Sequence, residues 1–160
     1  GESDQDGCVG LQGHRGVIGM SRQVRVFTAM VGDLFHYGHV RLLKSAASLG
    51  DHLTVGLVSD KRAASYKRVP VLTYREREEV IRACRYVDDV MELDENITDE
   101  FMERHNFGIR AYACASDEEE ARNFATLWKD MNRHYFKRVE YTEGISTSDI
   151  IARLRGRLDT

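Results

Sequence analysis

Asp33-Leu34-Phe35-His36-Tyr37-Gly38-His39 is the stretch on which the fold turns. Ahead of it, Val24 to Val31 reads as a strand. Behind it, Val40, Leu42, Leu43, Ala46, Ala47 and Leu49 recur at helical spacing, with Gly50 closing the helix. A strand that hands over to a helix through H-x-G-H sets two imidazoles beside a helix N-terminus. Unpaired N–H groups and the positive end of the dipole favour anions there. Gly38 carries no side chain, so a ligand can approach the backbone. The reading is a site for the phosphates of a nucleoside triphosphate. Taken alone, the motif is also an ordinary polar turn, and the rest of the chain decides between the two.

Outward from this turn the pattern repeats. His52 to Val58 is a near-continuous apolar run, as in a strand covered on both faces. Ser59 to Arg68 reads as a polar connection carrying Lys61, Arg62, Lys67 and Arg68. Thr73 and Glu76 form a capping box that starts a helix running to about Arg85. Further strands are expected over 86–91, 109–115 and 136–141. Helices are expected over 98–106, 118–133 and 146–157, with Trp128 in the core. Repeated β-α units predict a Rossmann-like, doubly wound α/β fold: a mainly parallel five-stranded sheet, helices on both faces and right-handed crossovers. Ligands in such sheets bind at the carboxyl ends of the strands, which is where H-x-G-H falls.

Composition narrows the class. The chain has 160 residues and 42% apolar content, enough for one core. Its net charge of −3, with both signs interspersed, argues against nucleic acid as a partner. No apolar run approaches a membrane span. Cys8, Cys84 and Cys114 are scattered, which suggests neither a disulfide framework nor a zinc site and fits a reducing cytoplasm. Residues 1–22 stand apart, with glycines at 7, 10, 13, 16 and 19 but no proline. They read as a flexible leader or an appended segment, with Met20 a candidate natural start. Residues 23–160 read as a single nucleotide-binding domain.

Near the end, Gly144-Ile145-Ser146-Thr147-Ser148-Asp149-Ile150 opens a second helix. Ser146 and Asp149 form a capping box. Three hydroxyls at a helix N-terminus also suit phosphate. Two such starts at the carboxyl ends of strands can clamp a triphosphate between them.

Together H-x-G-H, Arg85-Tyr86-Val87-Asp88 and Thr142-Glu143-Gly144-Ile145-Ser146-Thr147-Ser148 resemble the cytidylyltransferase family, a branch of the H-x-G-H nucleotidyltransferases, from about Val24 to Leu154. That family joins CTP to glycerol 3-phosphate, phosphocholine or phosphoethanolamine. The resemblance implies CMP transfer to a phosphorylated or phosphonate alcohol, such as hydroxyethylphosphonate, with pyrophosphate released. It implies catalytic roles for His36, His39 and Lys67. It implies nucleotide contacts from Val31, Gly32, Gly38, Arg85, Thr142, Gly144, Ile145, Ser146, Thr147 and Ser148, and an acceptor side at Asp33 and Tyr141. Magnesium is expected to arrive with CTP rather than in a protein cage, and a homodimer is expected. The alternatives are a non-catalytic nucleotide-binding or regulatory homologue, or an adenylyltransferase using ATP.

The chain departs from the family pattern in several places. Met30 stands where the family has a glycine, and Gly32 where it has an aromatic. Tyr141 replaces an arginine, and a phenol cannot supply that charge. Ser116-Asp117 stands for paired aspartates. The tryptophan that choline-binding members carry near Asn96 is missing, which argues against phosphocholine.

Overall fold

The computed structural model describes residues 22–159; the expected leader lies outside them apart from Arg22. Five strands form one all-parallel sheet in the order β3-β2-β1-β4-β5. They are β1 (Arg25–Met30), β2 (His52–Val58), β3 (Asp89–Leu93), β4 (Ile109–Tyr112) and β5 (Phe136–Arg138). The helices are α1 (Tyr37–Ala47), α2 (Asp60–Tyr66), α3 (Tyr74–Arg82), α4 (Asp99–Arg104), α5 (Asp117–Ala125) and α6 (Thr147–Leu158). A 3₁₀ turn, Arg133–Tyr135, precedes β5. The chain winds from β1 outward to β3, then crosses back to β4 and β5. The order therefore reverses between β1 and β4, and a ligand crevice is expected at their carboxyl ends.

Strand alternation sorts the core into two layers. Val26, Met30, Leu53, Val55 and Leu57 face α1 and α3, packing with Leu43, Ala46 and Ile81. Phe27 and Val58 face the other way, onto Ala63 of α2 and Phe101 and Met102 of α4. Helices thus cover both faces, as the Rossmann-like reading requires.

Several bounds differ from the sequence reading, each for a local reason. Residues 60–66 are helical, because the Ser59 hydroxyl caps a turn by accepting from the Arg62 amide at 3.1 Å. Helix α5 stops at Ala125; none of its residues is buried, so no packing extends it to 133. Trp128 therefore lies in a turn. Strand β5 ends at Arg138, so Tyr141 lies beyond it in the loop before α6. Gly50 is not a left-handed cap: a Cβ there would lie 2.6 Å from the Val24 carbonyl oxygen, so the residue is small for space.

Candidate active site

The turn after β1 builds one wall of the site. His36 caps α1 with its ring: Nδ1 accepts from the Gly38 amide at 3.1 Å. His39, one turn in, reaches back, and its Nδ1 accepts from the His36 amide at 3.2 Å. This is a reciprocal cap in which imidazoles replace the usual hydroxyl and carboxylate. The consequence is chemical. A nitrogen that accepts carries no hydrogen, so each neutral ring holds its proton on Nε2 and presents it as a donor. The two rings lie 3.9 Å apart, and Phe35 stacks on His39 at 5.5 Å. Burial lowers both pKa values. His39 falls to about 4 through burial, with the nearby charges of His36 and Lys67 adding to it and Asp33 opposing. Both rings are therefore neutral at pH 7. Gly38 is required here by the protein itself, since a Cβ would meet the His36 ring at 2.9 Å and Ile145 at 3.1 Å.

The second wall is the start of α6. Ser146 caps it, accepting from the Asp149 amide at 3.1 Å. Thr147 donates its buried hydroxyl to the Asp33 carbonyl at 2.9 Å, tying α6 to the β1–α1 loop. Asp33 itself is 4% exposed. Its carboxylate accepts from the amides of Leu34, Val71 and Leu72 at 3.1, 2.9 and 3.0 Å. It holds the 69–72 loop over the site.

Beneath this lies Arg77 of α3, fully buried. Its guanidinium donates to the carbonyls of Val31, Val58 (3.0 Å) and Leu72 (3.2 Å) and to the Asp60 carboxylate (2.6 Å). It joins the carboxyl ends of β1 and β2 to α2. The sequence reading did not single out Arg77 for this brace.

Two cavities open at this end of the sheet. The larger of the two, about 340 Å³, is lined by His36, Gly38, His39, Lys67, Ile145, Ser146 and Thr147. Arg110, Trp128, Glu140, Tyr141, Thr142 and residues of β4 also line it. The smaller, about 210 Å³, is lined by Met30, Val31, Gly32, Asp33, Lys67, Arg68 and Pro70. His39, Lys67 and Thr147 belong to both.

Some expected residues fall elsewhere. Arg85 lines neither cavity: it sits in the turn ahead of β3, at the amino edge of the sheet, whereas both cavities open at the carboxyl edge. Arg85 therefore stands apart from the two cavities that gather the other expected residues. Val31 and Gly32 line the smaller cavity, not the larger. Gly32 has φ +67 and presses on Ile81, where a Cβ would come within 2.6 Å; its smallness serves the backbone and the core. Tyr141 lines the larger cavity and not the smaller, where Asp33 lies. Gly144 (φ +79) and Ser148 line neither, and Ser148 Oγ accepts from Arg68 at 3.3 Å. Arg110 and Trp128 line the larger cavity, although neither was anticipated. A lone charge in the apolar run of β4 was the available signal. Among the described residues, no group of three or more His, Cys, Asp or Glu is placed to hold a metal ion.

A doubly wound sheet with two helix starts converging on a crevice at its switch point defines a nucleotide-binding α/β domain. The chain belongs to the cytidylyltransferase-like family, whose model matches residues 32–153. It is 37% identical over 139 residues to the probable choline-phosphate cytidylyltransferase of Schizosaccharomyces pombe, covering 83% of this chain and 37% of that protein. It is 33% identical over 140 residues to the ethanolamine-phosphate cytidylyltransferase of Arabidopsis thaliana, covering 83% and 32%. The chain thus spans about a third of the length of these relatives. Among solved structures, the lipopolysaccharide core biosynthesis protein of Thermoplasma volcanium shares the fold. Its TM-score is 0.59 at 22% identity, covering 77% of this chain and 99% of that one.

Proposed function

We propose that this protein transfers CMP from CTP to a small phosphorylated or phosphonate alcohol and releases pyrophosphate. The observation that carries the reading is the pair of cavities that share His39, Lys67 and Thr147. The larger suits a nucleotide and the smaller an acceptor phosphate, so the reacting atoms meet where both cavities touch the same donors. An acceptor oxygen attacks the α-phosphorus, and the bond to the bridging oxygen of the β-phosphate breaks in line. The acceptor oxygen is already anionic and needs no strong base. The obstacle is repulsion between two polyanions. Nε2–H of His36 and His39, the Lys67 ammonium and two helix starts answer it by positioning and fixed dipoles. CTP enters as its magnesium complex; the one buried carboxylate at the site, Asp33, is occupied by three amides.

The relatives' names point to choline phosphate and ethanolamine phosphate as acceptor chemistries. The smaller cavity has no Phe, Tyr or Trp in its lining, so it offers no aromatic cage for a quaternary amine. Glycerol 3-phosphate, phosphoethanolamine and hydroxyethylphosphonate are the acceptors this favours over phosphocholine. A cytoplasmic homodimer is part of the same reading, and light scattering checks the dimer. Among the described residues, no helix is long and apolar enough to cross a membrane.

The test is pyrophosphate release with magnesium, each of four nucleoside triphosphates being offered with each of the four acceptors. Turnover with CTP and one acceptor is expected. Turnover with ATP alone makes the protein an adenylyltransferase. CTP binding without turnover on any acceptor would leave a non-catalytic nucleotide-binding protein, the reading that Tyr141 in place of arginine favours.

A further inference from the structure

Arg110 is the one buried charge in the larger cavity that the mechanism leaves unused. It lies on β4 in register with Phe27 and Phe136, and only 8% of it is exposed. Its guanidinium stands 5.3 Å from the Trp128 ring and 5.1 Å from the Phe136 ring. Its only hydrogen bond among the described residues goes to Met131 Sδ, at 2.8 Å. Among the described residues no carboxylate pairs with it. Burial draws its pKa down to about 10, so it stays charged at neutral pH. A buried guanidinium without a counter-group is costly unless a ligand supplies acceptors. The phosphate donors, His36, Gly38, Ser146 and Thr147, come from the starts of α1 and α6, not from β4. Arg110 instead sits within β4 against two aromatic rings, in surroundings that suit a flat, uncharged ring.

We propose that Arg110 reads the base of the nucleotide, donating two parallel N–H groups to O2 and N3 of cytosine. The fork geometry fits that edge, because cytosine presents two adjacent acceptors there. Uracil carries a hydrogen on N3 and opposes the fork. Adenine pairs its N1 acceptor with an amino donor and also fails. The resemblance expects a guanidinium at position 141, where this chain has a tyrosine. In this protein the cavity's guanidinium comes from β4 instead. Arg110 is a binding and specificity residue with no part in the bond-making step.

The inference rests on CTP being the nucleotide, and the experiment separates the two failures. CTP, UTP, ATP and GTP are titrated calorimetrically into the wild type, Arg110→Met and Arg110→Lys. The same proteins are assayed with the acceptor that turns over. Methionine fills the stem volume and leaves no unpaired charge, so the fold is kept, as circular dichroism melts verify. The expected result for Arg110→Met is a CTP Kd and KM raised roughly 10- to 100-fold with kcat nearly unchanged. The CTP-over-UTP ratio falls by a similar factor. Arg110→Lys keeps the charge, loses the fork and loses the ratio too. Three outcomes overturn the assignment: an unchanged CTP-over-UTP ratio, an equal loss for every nucleotide, which marks a phosphate contact, or preferential GTP binding through its O6 and N7. A wild type that binds no CTP sinks the transferase reading itself, whereas a CTP-selective wild type with an unaltered variant sinks only Arg110.

Discussion

Helices α1 and α6 both begin at the nucleotide-sized cavity, yet their starts are finished with opposite chemistry. Imidazoles cap α1, and its first turn holds no acidic residue. A serine caps α6, and Asp149 occupies its first turn, bonded to the Ser146 hydroxyl at 2.8 Å. The carboxylate offsets part of the positive end of the α6 dipole, while α1 keeps all of its own. The α1 cap also carries titratable groups with defined tautomers. The α6 cap is a hydroxyl that accepts from the Asp149 amide and donates to the Asp149 carboxylate. In the proposed reaction, the first start responds to charge that develops and the second holds charge that is already present.

The sharpest way to break this contrast is His39→Asn. An asparagine oxygen can still accept from the His36 amide, so the cap survives and the Nε2 donor is lost. The expected fall in kcat is on the order of 10²–10⁴, measured by pyrophosphate release. Ser146→Ala should instead raise the KM for CTP a few-fold at nearly constant kcat. Equal effects at the two positions would erase the distinction.

Acid stability comes next. The folded pKa of His39 is about 4 and its unfolded value about 6.5. Between those values the unfolded chain binds more protons, so stability falls as pH drops from 6.5 towards 4, by up to ~3 kcal/mol. Urea midpoints at pH 7.5 and 4.5 should converge in His39→Asn relative to the wild type. An unchanged gap would mean that burial does not hold the ring neutral.

The smallest effects belong to α6. Thr147→Val removes the buried bond to the Asp33 carbonyl and should cost about 1–3 kcal/mol. Ser146→Ala, at a more open cap, should cost about 1 kcal/mol. Thermal melts rank the two. A larger loss for Ser146 would place the anchor of α6 in its cap rather than in its bond to the β1–α1 loop.

The legible parts share a cause. Apolar periodicity marked the strands and the two-sided cover. The Thr73–Glu76 and Ser146–Asp149 spacings marked helix starts, because those interactions span three residues. The illegible parts are long-range. Arg77 looks like any helix-surface arginine until α3 packs and buries it beneath two strand ends. The short extent of α5 followed from missing packing. Arg85 stands beside a motif residue by sequence and at the far edge of the sheet in space. Lys67 showed as a loop lysine, but not as a residue shared by two cavities.

By itself the sequence determined the fold class, the position of the switch-point turn and the two helix starts, since each depends on residues within a turn or two of each other. The tertiary structure decided which nitrogen of each histidine faces the site and that Asp33 is spent on a loop. It also decided that a β4 arginine, not the residue at 141, supplies the cavity's guanidinium. These outcomes depend on which strands become neighbours and on what burial removes from water, and neither is written in local spacing.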